Sequence, residues 1–178
     1  MDYENLKNKK IKEVSKLIEK GQVCPEELTQ FYLDKISSDS SSEYIFTKVF
    51  KKTALNSALA SKKRTKVGLR KGFLDGIPIS VKDLADIKGE LTGGGSSLTN
   101  KKKAKNNAVF VDDLQSQGAI ILGKTHMTEL AFSGLGLNPI TATPPNPFNE
   151  ELVSGGSSSG SAVSVSRNYC LASIGSDT

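Results

Sequence analysis

The sequence predicts an α/β domain with a largely parallel or mixed sheet flanked by helices. Short apolar, β-prone runs alternate with amphipathic helical stretches along its 178 residues. Clusters of Gly, Ser, Asn and Pro fall between those stretches, where turns are needed. The composition, 37% hydrophobic and 24% charged, is that of an ordinary globular protein, and the length suits one domain with a real core.

The elements follow in order. Residues 4–20 place Ile11, Val14, Leu17 and Ile18 on one helical face and lysines on the other, and Gly21 ends that helix. Pro25 suits the first turn of a second helix, with Glu26 and Glu27 favourable at its positive end. Leu28, Phe31, Tyr32 and Ile36 form its buried stripe. A polar break at 37–42 precedes β-prone residues 44–50, and an alanine-rich helix runs from there to about residue 63. After a basic turn at 66–72, residues 77–82 read as a buried strand with Lys82 at its end. A glycine-rich segment, 92–97, comes next. Asn107 is expected to cap a helix that turns Val109, Phe110, Leu114 and Val111 inward and closes at Gly118. Residues 119–122 form a short core strand, 128–132 a short helix and 134–147 a proline-rich loop. A helix over 158–168 and a strand over 171–174 complete the pattern, which contains no internal repeat.

Composition excludes several function classes. The formal charge of +5 comes from scattered lysines and the run Lys101-Lys102-Lys103 with Lys105. No aromatic residue interleaves with that run, so it reads as a solvated loop, and no direct nucleic-acid contact is expected. The first residues lack the apolar core of a signal peptide, and no run approaches membrane-spanning length. Cys24 and Cys170 stand far apart, a pattern that suits a reducing cytoplasm better than a disulfide framework. With His126 as the only histidine, nothing marks a metal site.

Three segments carry chemistry. Residues 118–125 satisfy the phosphate-loop expression G-x-x-x-x-G-K-[ST], but the four interior residues are purely apolar and a helix precedes them. A phosphate loop must follow a strand and open a helix, so this stretch is expected to be the strand itself and to bind no nucleotide. Lys82 lies among apolar neighbours with Asp83 beside it. A strand-end lysine commonly pairs with such a carboxylate at the surface, whereas a buried, neutral amine could serve as a general base. The loop Gly155-Gly156-Ser157-Ser158-Ser159-Gly160-Ser161 resembles a flexible linker in composition, yet Ala162, Val163 and Val165 tie it at once to a packed helix. Its serines sit where a helix N-terminus exposes unsatisfied N–H groups.

Taken with the terminal Gly175-Ser176-Asp177-Thr178, these segments resemble the amidase signature family in order and spacing. Pro25-Glu26-Glu27-Leu28-Thr29, Val81-Lys82-Asp83-Leu84, Met127-Thr128-Glu129-Leu130 and Asn146-Pro147-Phe148 are similar to further landmarks, and the resemblance covers about residues 20–178. It implies the amidase-signature fold, with residues 1–178 as the N-terminal part of a single domain that ends before the nucleophilic serine of a Gly-Gly-Ser. It implies a serine hydrolase that cleaves amide C–N bonds by a Ser-Ser-Lys triad through an acyl-enzyme. Lys82 would be the triad lysine, Ser157 the bridging serine in a cis peptide after Gly156, and Thr178 part of the oxyanion hole. Neither metal nor organic cofactor is implied. The partners implied are a small-molecule amide substrate and a second copy in a homodimer, or amidotransferase partner proteins in the alternative.

That alternative is the A subunit of a tRNA-dependent amidotransferase, which is a glutaminase supplying ammonia. It resembles Asn-Met-Asp-Glu-Phe-Ala-Met where this chain has His126-Met127-Thr128-Glu129-Leu130-Ala131-Phe132. The following Ser133-Gly134-Leu135-Gly136-Leu137-Asn138-Pro139 is closer to stand-alone amidases, which is the favoured reading. A non-catalytic remnant or interaction module is the third reading. The 178 residues alone are expected to be inactive, with apolar surface and strand edges open.

Overall fold

The computed structural model describes residues 2–99 and 102–177. A 3-10 helix, Tyr3–Asn8, leads into α1 (Ile11–Glu19) and α2 (Pro25–Ser38). A second 3-10 turn, Ser40–Tyr44, precedes β1 (Phe46–Val49) and α3 (Lys51–Lys66). Then come β2 (Pro78–Lys82), α4 (Val109–Ser116), β3 (Ile120–Thr125), a 3-10 turn at Glu129–Ala131, α5 (Ser159–Ser166) and β4 (Ala172–Ile174). The sheet order is β1-β3-β2-β4; β3 runs parallel to β2, β2 parallel to β4, and β1 antiparallel to β3. The expected mixed sheet is therefore present, with β2 and β3 at its centre.

Every residue of β2 and β3 is buried, which explains their near-continuous apolar runs: central parallel strands are covered on both faces. Helices α2 and α3 pack against each other and onto these strands, while α5 packs across β2, β3 and β4. Tyr32, Leu28, Ile36, Ala54, Ala58, Ile77, Ile120 and Leu122 join one core. Among the described residues no helix is long and apolar enough to cross a membrane.

Several expectations are corrected. The first helix is two pieces, because residues 9 and 10 turn extended between the 3-10 segment and α1. Residue 108, not Asn107, holds the N-cap position of α4, and no side chain caps it. Asn107 instead accepts from the Lys88 N–H (2.7 Å) and donates to Asp112 (2.7 Å) and Gln115 (3.2 Å), tying the loop to the helix from outside. Val111 is the buried residue of α4, whereas Val109 and Phe110 are exposed. The short helix at 128–132 is a single 3-10 turn in which Leu130 and Ala131 take positive φ, conformations uncommon for side chains bearing a Cβ. β3 extends to Thr125, three residues past the expected strand, so Gly123, Lys124 and Thr125 are sheet residues.

Candidate functional site

β2 delivers Lys82 at its C-terminal end, where ligand sites of open α/β sheets gather. Side chains alternate across a strand, so Ser80 and Lys82 share a face. That face meets α5: Ser80 Oγ lies 2.9 Å from Ser164 Oγ. Ser158, Ser161 and Ser164 recur every three residues on the helix and bind this edge of the sheet in succession. Ser164 meets Ser80, Ser161 donates to the Ile174 carbonyl (3.1 Å) and lies 2.9 Å from Thr125 Oγ1, and Ser158 engages the backbone of Ser176. Small side chains permit this close approach. A Cβ on Gly160 would fall 2.7 Å from both the His126 and Ile45 carbonyls.

The packing sets Ser157 against Lys82. Lys82 Nζ is 2.6 Å from Ser157 Oγ and 2.9 Å from Ser176 Oγ. Lys82 is 2% exposed and Ser157 8%. Burial pulls the Lys82 amine below the ordinary lysine range, opposed by the nearby Asp177 carboxylate, because an apolar environment penalises the charged form. The Gly156–Ser157 peptide is cis. Around it, the Gly156 N–H donates to the Gly134 carbonyl (2.8 Å) and the Thr128 N–H to the Ser157 carbonyl (3.2 Å). A Cβ on Gly156 would sit 2.9 Å from Gly136 Cα, so the loop at 133–136 packs directly on the Gly155-Gly156 backbone.

Residues 130–134, Gly156, Ser157, Ser176 and Asp177 wall a cavity of about 560 Å3. On the other side of Lys82 an apolar cleft of about 490 Å3 lies between Leu84, Phe110 and Leu114 and the end of β4. Asn138 ties the glycine-rich segment to the loop after β3: its amide donates to the carbonyls of Gly95 and Met127, both at 2.7 Å. Its side-chain oxygen accepts from the Ile140 (3.0 Å) and Thr141 (3.1 Å) N–H groups, so all four contacts of a buried amide are used.

Of the residues expected from the sequence, Lys82 and Ser157 are together, while Thr178 lies outside the described residues. Sequence reasoning missed Ser176 on the amine and Ser158 beneath it. The three-residue serine period in 158–164, facing the end of β4 and the Gly175-Ser176 that follows it, is the signal that could have found them. His126 is buried, burial lowers its pKa, and its backbone joins Ile45 to Gly160; among the described residues no cluster of three or more His, Cys, Asp or Glu surrounds it.

The amidase family model matches residues 27–178. Among curated relatives, the glutamyl-tRNA(Gln) amidotransferase A subunit of Desulfotalea psychrophila is 38% identical over 168 residues, 94% of this chain and 34% of that protein. The same-named protein of Ruminiclostridium cellulolyticum is 36% identical over 168 residues, again 94% of this chain and 34% of that protein. Solved structures agree. An amidase crystal structure superposes with a TM-score of 0.85 at 32% identity over 93% of this chain and 38% of that one. The peptide amidase of Stenotrophomonas maltophilia gives 0.82 at 27% identity, over 92% of this chain and 35% of its own. The chain spans about a third of the length of the curated relatives it matches. With the family model covering most of the sequence, this chain belongs to the amidase family.

Proposed function

We propose that this chain carries the general base and the proton relay of an amide-cleaving acyl transfer. The observation that supports it most directly is the buried 2.6 Å contact between Lys82 Nζ and Ser157 Oγ. A neutral amine is needed for the base role, and burial favours that form at Lys82. In this reading the attacking serine belongs to a Gly-Gly-Ser after Thr178, in a longer chain. Its oxygen bonds to the amide carbonyl carbon while its proton passes to Ser157 Oγ, which gives its own proton to Lys82. Collapse breaks the C–N bond as Lys82 returns the proton through Ser157 to the leaving nitrogen, and water then cleaves the acyl ester by the same route. The Thr178 backbone N–H is assigned to the oxyanion hole.

The stand-alone amidase remains the favoured reading, supported by the wording of residues 133–139 and by the amidases among the solved relatives. The names of the curated relatives favour the second reading, the A subunit of an amidotransferase.

The test compares the 178-residue chain with an extended chain carrying Gly-Gly-Ser and the residues that follow, on simple aliphatic and aromatic amides. Turnover is expected from the extended chain alone, and Lys82→Ala or Ser157→Ala should each lower its kcat by about 10⁴-fold or more, since members of such a unit fail together. Turnover by the short chain, lost in either variant, would overturn the assignment of the nucleophile. An extended chain that is inert alone but co-purifies with a tRNA-binding protein moves the reading to the amidotransferase; one inert with no partner is the non-catalytic remnant.

A further inference from the structure

Lys82 Nζ touches two hydroxyls, and the relay uses only one. A neutral primary amine has two N–H donors and a single lone pair. As a base for Ser157, that lone pair must face Ser157 Oγ, and an amine free to spin about its Cε–Nζ bond offers the right face only part of the time. The second hydroxyl, Ser176 Oγ at 2.9 Å, is an acceptor placed for one of the N–H groups.

Ser176 does not reach this position by chance of side-chain rotation. Ser158 Oγ accepts from the Ser176 N–H (3.1 Å) and donates to the Ser176 carbonyl (3.0 Å), gripping both backbone polar groups of one residue. Gly175 lets this happen, since a Cβ there would lie 2.8 Å from Ser158 Oγ. One turn further along α5, Ser161 holds the Ile174 carbonyl at 3.1 Å. The start of α5 therefore fixes the path of the chain after β4, and that path sets the hydroxyl of Ser176 on the amine.

We propose that Ser176, clamped by Ser158, is a positioning residue for Lys82: it occupies one N–H of the amine and leaves the lone pair directed at Ser157. This rests on the base role proposed for Lys82. It gives the consecutive serines separate duties, with Ser157 in the proton path and Ser158 acting only through the backbone of Ser176.

Among the described residues the charged surroundings of the amine are few. Asp177 follows β4 and raises its pKa, while Asp113 of α4 lines the apolar cleft that Lys82 shares. Asp83, next to it in sequence, is engaged by Lys124 of β3, and α5 carries no charged residue.

The test is an NMR titration of the 178-residue chain with 13Cε-labelled lysine, the Lys82 signal being assigned by its loss in Lys82→Arg. An acceptor stabilises the ammonium more than the amine, so Ser176→Ala should lower the Lys82 midpoint by about one pH unit. Ser158→Ala should move it the same way, Ser176→Thr should restore it, and Ser166→Ala, whose hydroxyl donates to the Ala162 carbonyl within α5, should leave it in place. Circular dichroism and the urea midpoint of each variant show that the fold is retained. A parent midpoint below the ordinary lysine range with no movement in Ser176→Ala overturns the positioning role and leaves the base reading standing. A parent midpoint at the ordinary lysine value overturns both.

Discussion

Asp83 pairs with Lys124 and not with Lys82, its neighbour in sequence. The two side chains leave the end of β2 toward different partners, as alternation on a strand requires. Asp83 Oδ2 also accepts from the Gly93 N–H (3.2 Å), and Lys124 Nζ donates to the Leu91 carbonyl (2.6 Å) and Thr92 Oγ1 (3.2 Å). The pair thus pins the glycine-rich segment against the sheet, and Lys82 is left to the serines.

Because both charges are buried, losing one partner strands the other. Lys124→Met should destabilise the chain by about 3–5 kcal/mol in urea denaturation, the cost of an uncompensated buried charge. The double variant Lys124→Met with Asp83→Asn should recover much of that loss. A single variant as stable as its parent would show that the pair does not hold the fold.

The same geometry bears on the phosphate-loop pattern at 118–125. Its lysine is consumed by Asp83, Leu91 and Thr92, and its backbone belongs to β3. Titration with ATP or GTP is expected to give no saturable binding. Binding that disappears in Lys124→Ala would contradict this.

Arg64 holds the fully buried Asp75 by two hydrogen bonds, at 2.8 and 2.6 Å, and the Lys71 N–H adds a third at 2.9 Å. Burial pushes the Asp75 carboxyl up, but these bonds outweigh it and the folded-state pKa lies below the ordinary carboxylate value. A depressed carboxylate stabilises the fold above its unfolded pKa, and this contribution is lost as pH falls through the folded pKa. Arg64→Ala should cost about 3 kcal/mol at neutral pH. Its deficit relative to the parent should shrink as the titration is taken into acid, measured by urea midpoints from pH 7 downward.

Gly160 decides how closely α5 approaches the sheet. Gly160→Ala should cost about 1–3 kcal/mol, since the added methyl meets backbone atoms that cannot rotate away. Gly134, with open space around its would-be Cβ and no positive φ, is the control: Gly134→Ala should lie within about 0.5 kcal/mol of the parent. Thermal melts of the two variants make the comparison.

Burial lowers the Lys82 pKa in the folded state, so between its folded and unfolded pKa values the unfolded chain binds more protons and stability rises with pH. Lys82→Met should therefore raise the urea midpoint at pH 7, with an advantage that narrows toward pH 10. A variant less stable than its parent at pH 7 would mean that its hydroxyl contacts outweigh the desolvation of the amine.

The sequence by itself determined the mixed α/β sheet, because the apolar runs at 77–82 and 119–122 and the helical stripes of α2 and α3 are local patterns that burial enforces. Lys82 and Ser157 were legible for another reason: their motifs stand in a family order. The inward face of α4 was not, since three adjacent apolar residues, Val109, Phe110 and Val111, satisfy more than one helical face and only packing into the tertiary core chooses Val111. Tertiary structure alone chose the partners of the charges and hydroxyls. Whether Asp83 takes Lys82 or Lys124, and whether Ser176 points to solvent or to an amine 94 residues away in sequence, depends on how α5 settles on β2 and β4. That contact joins segments whose spacing in sequence carries no record of their distance in space.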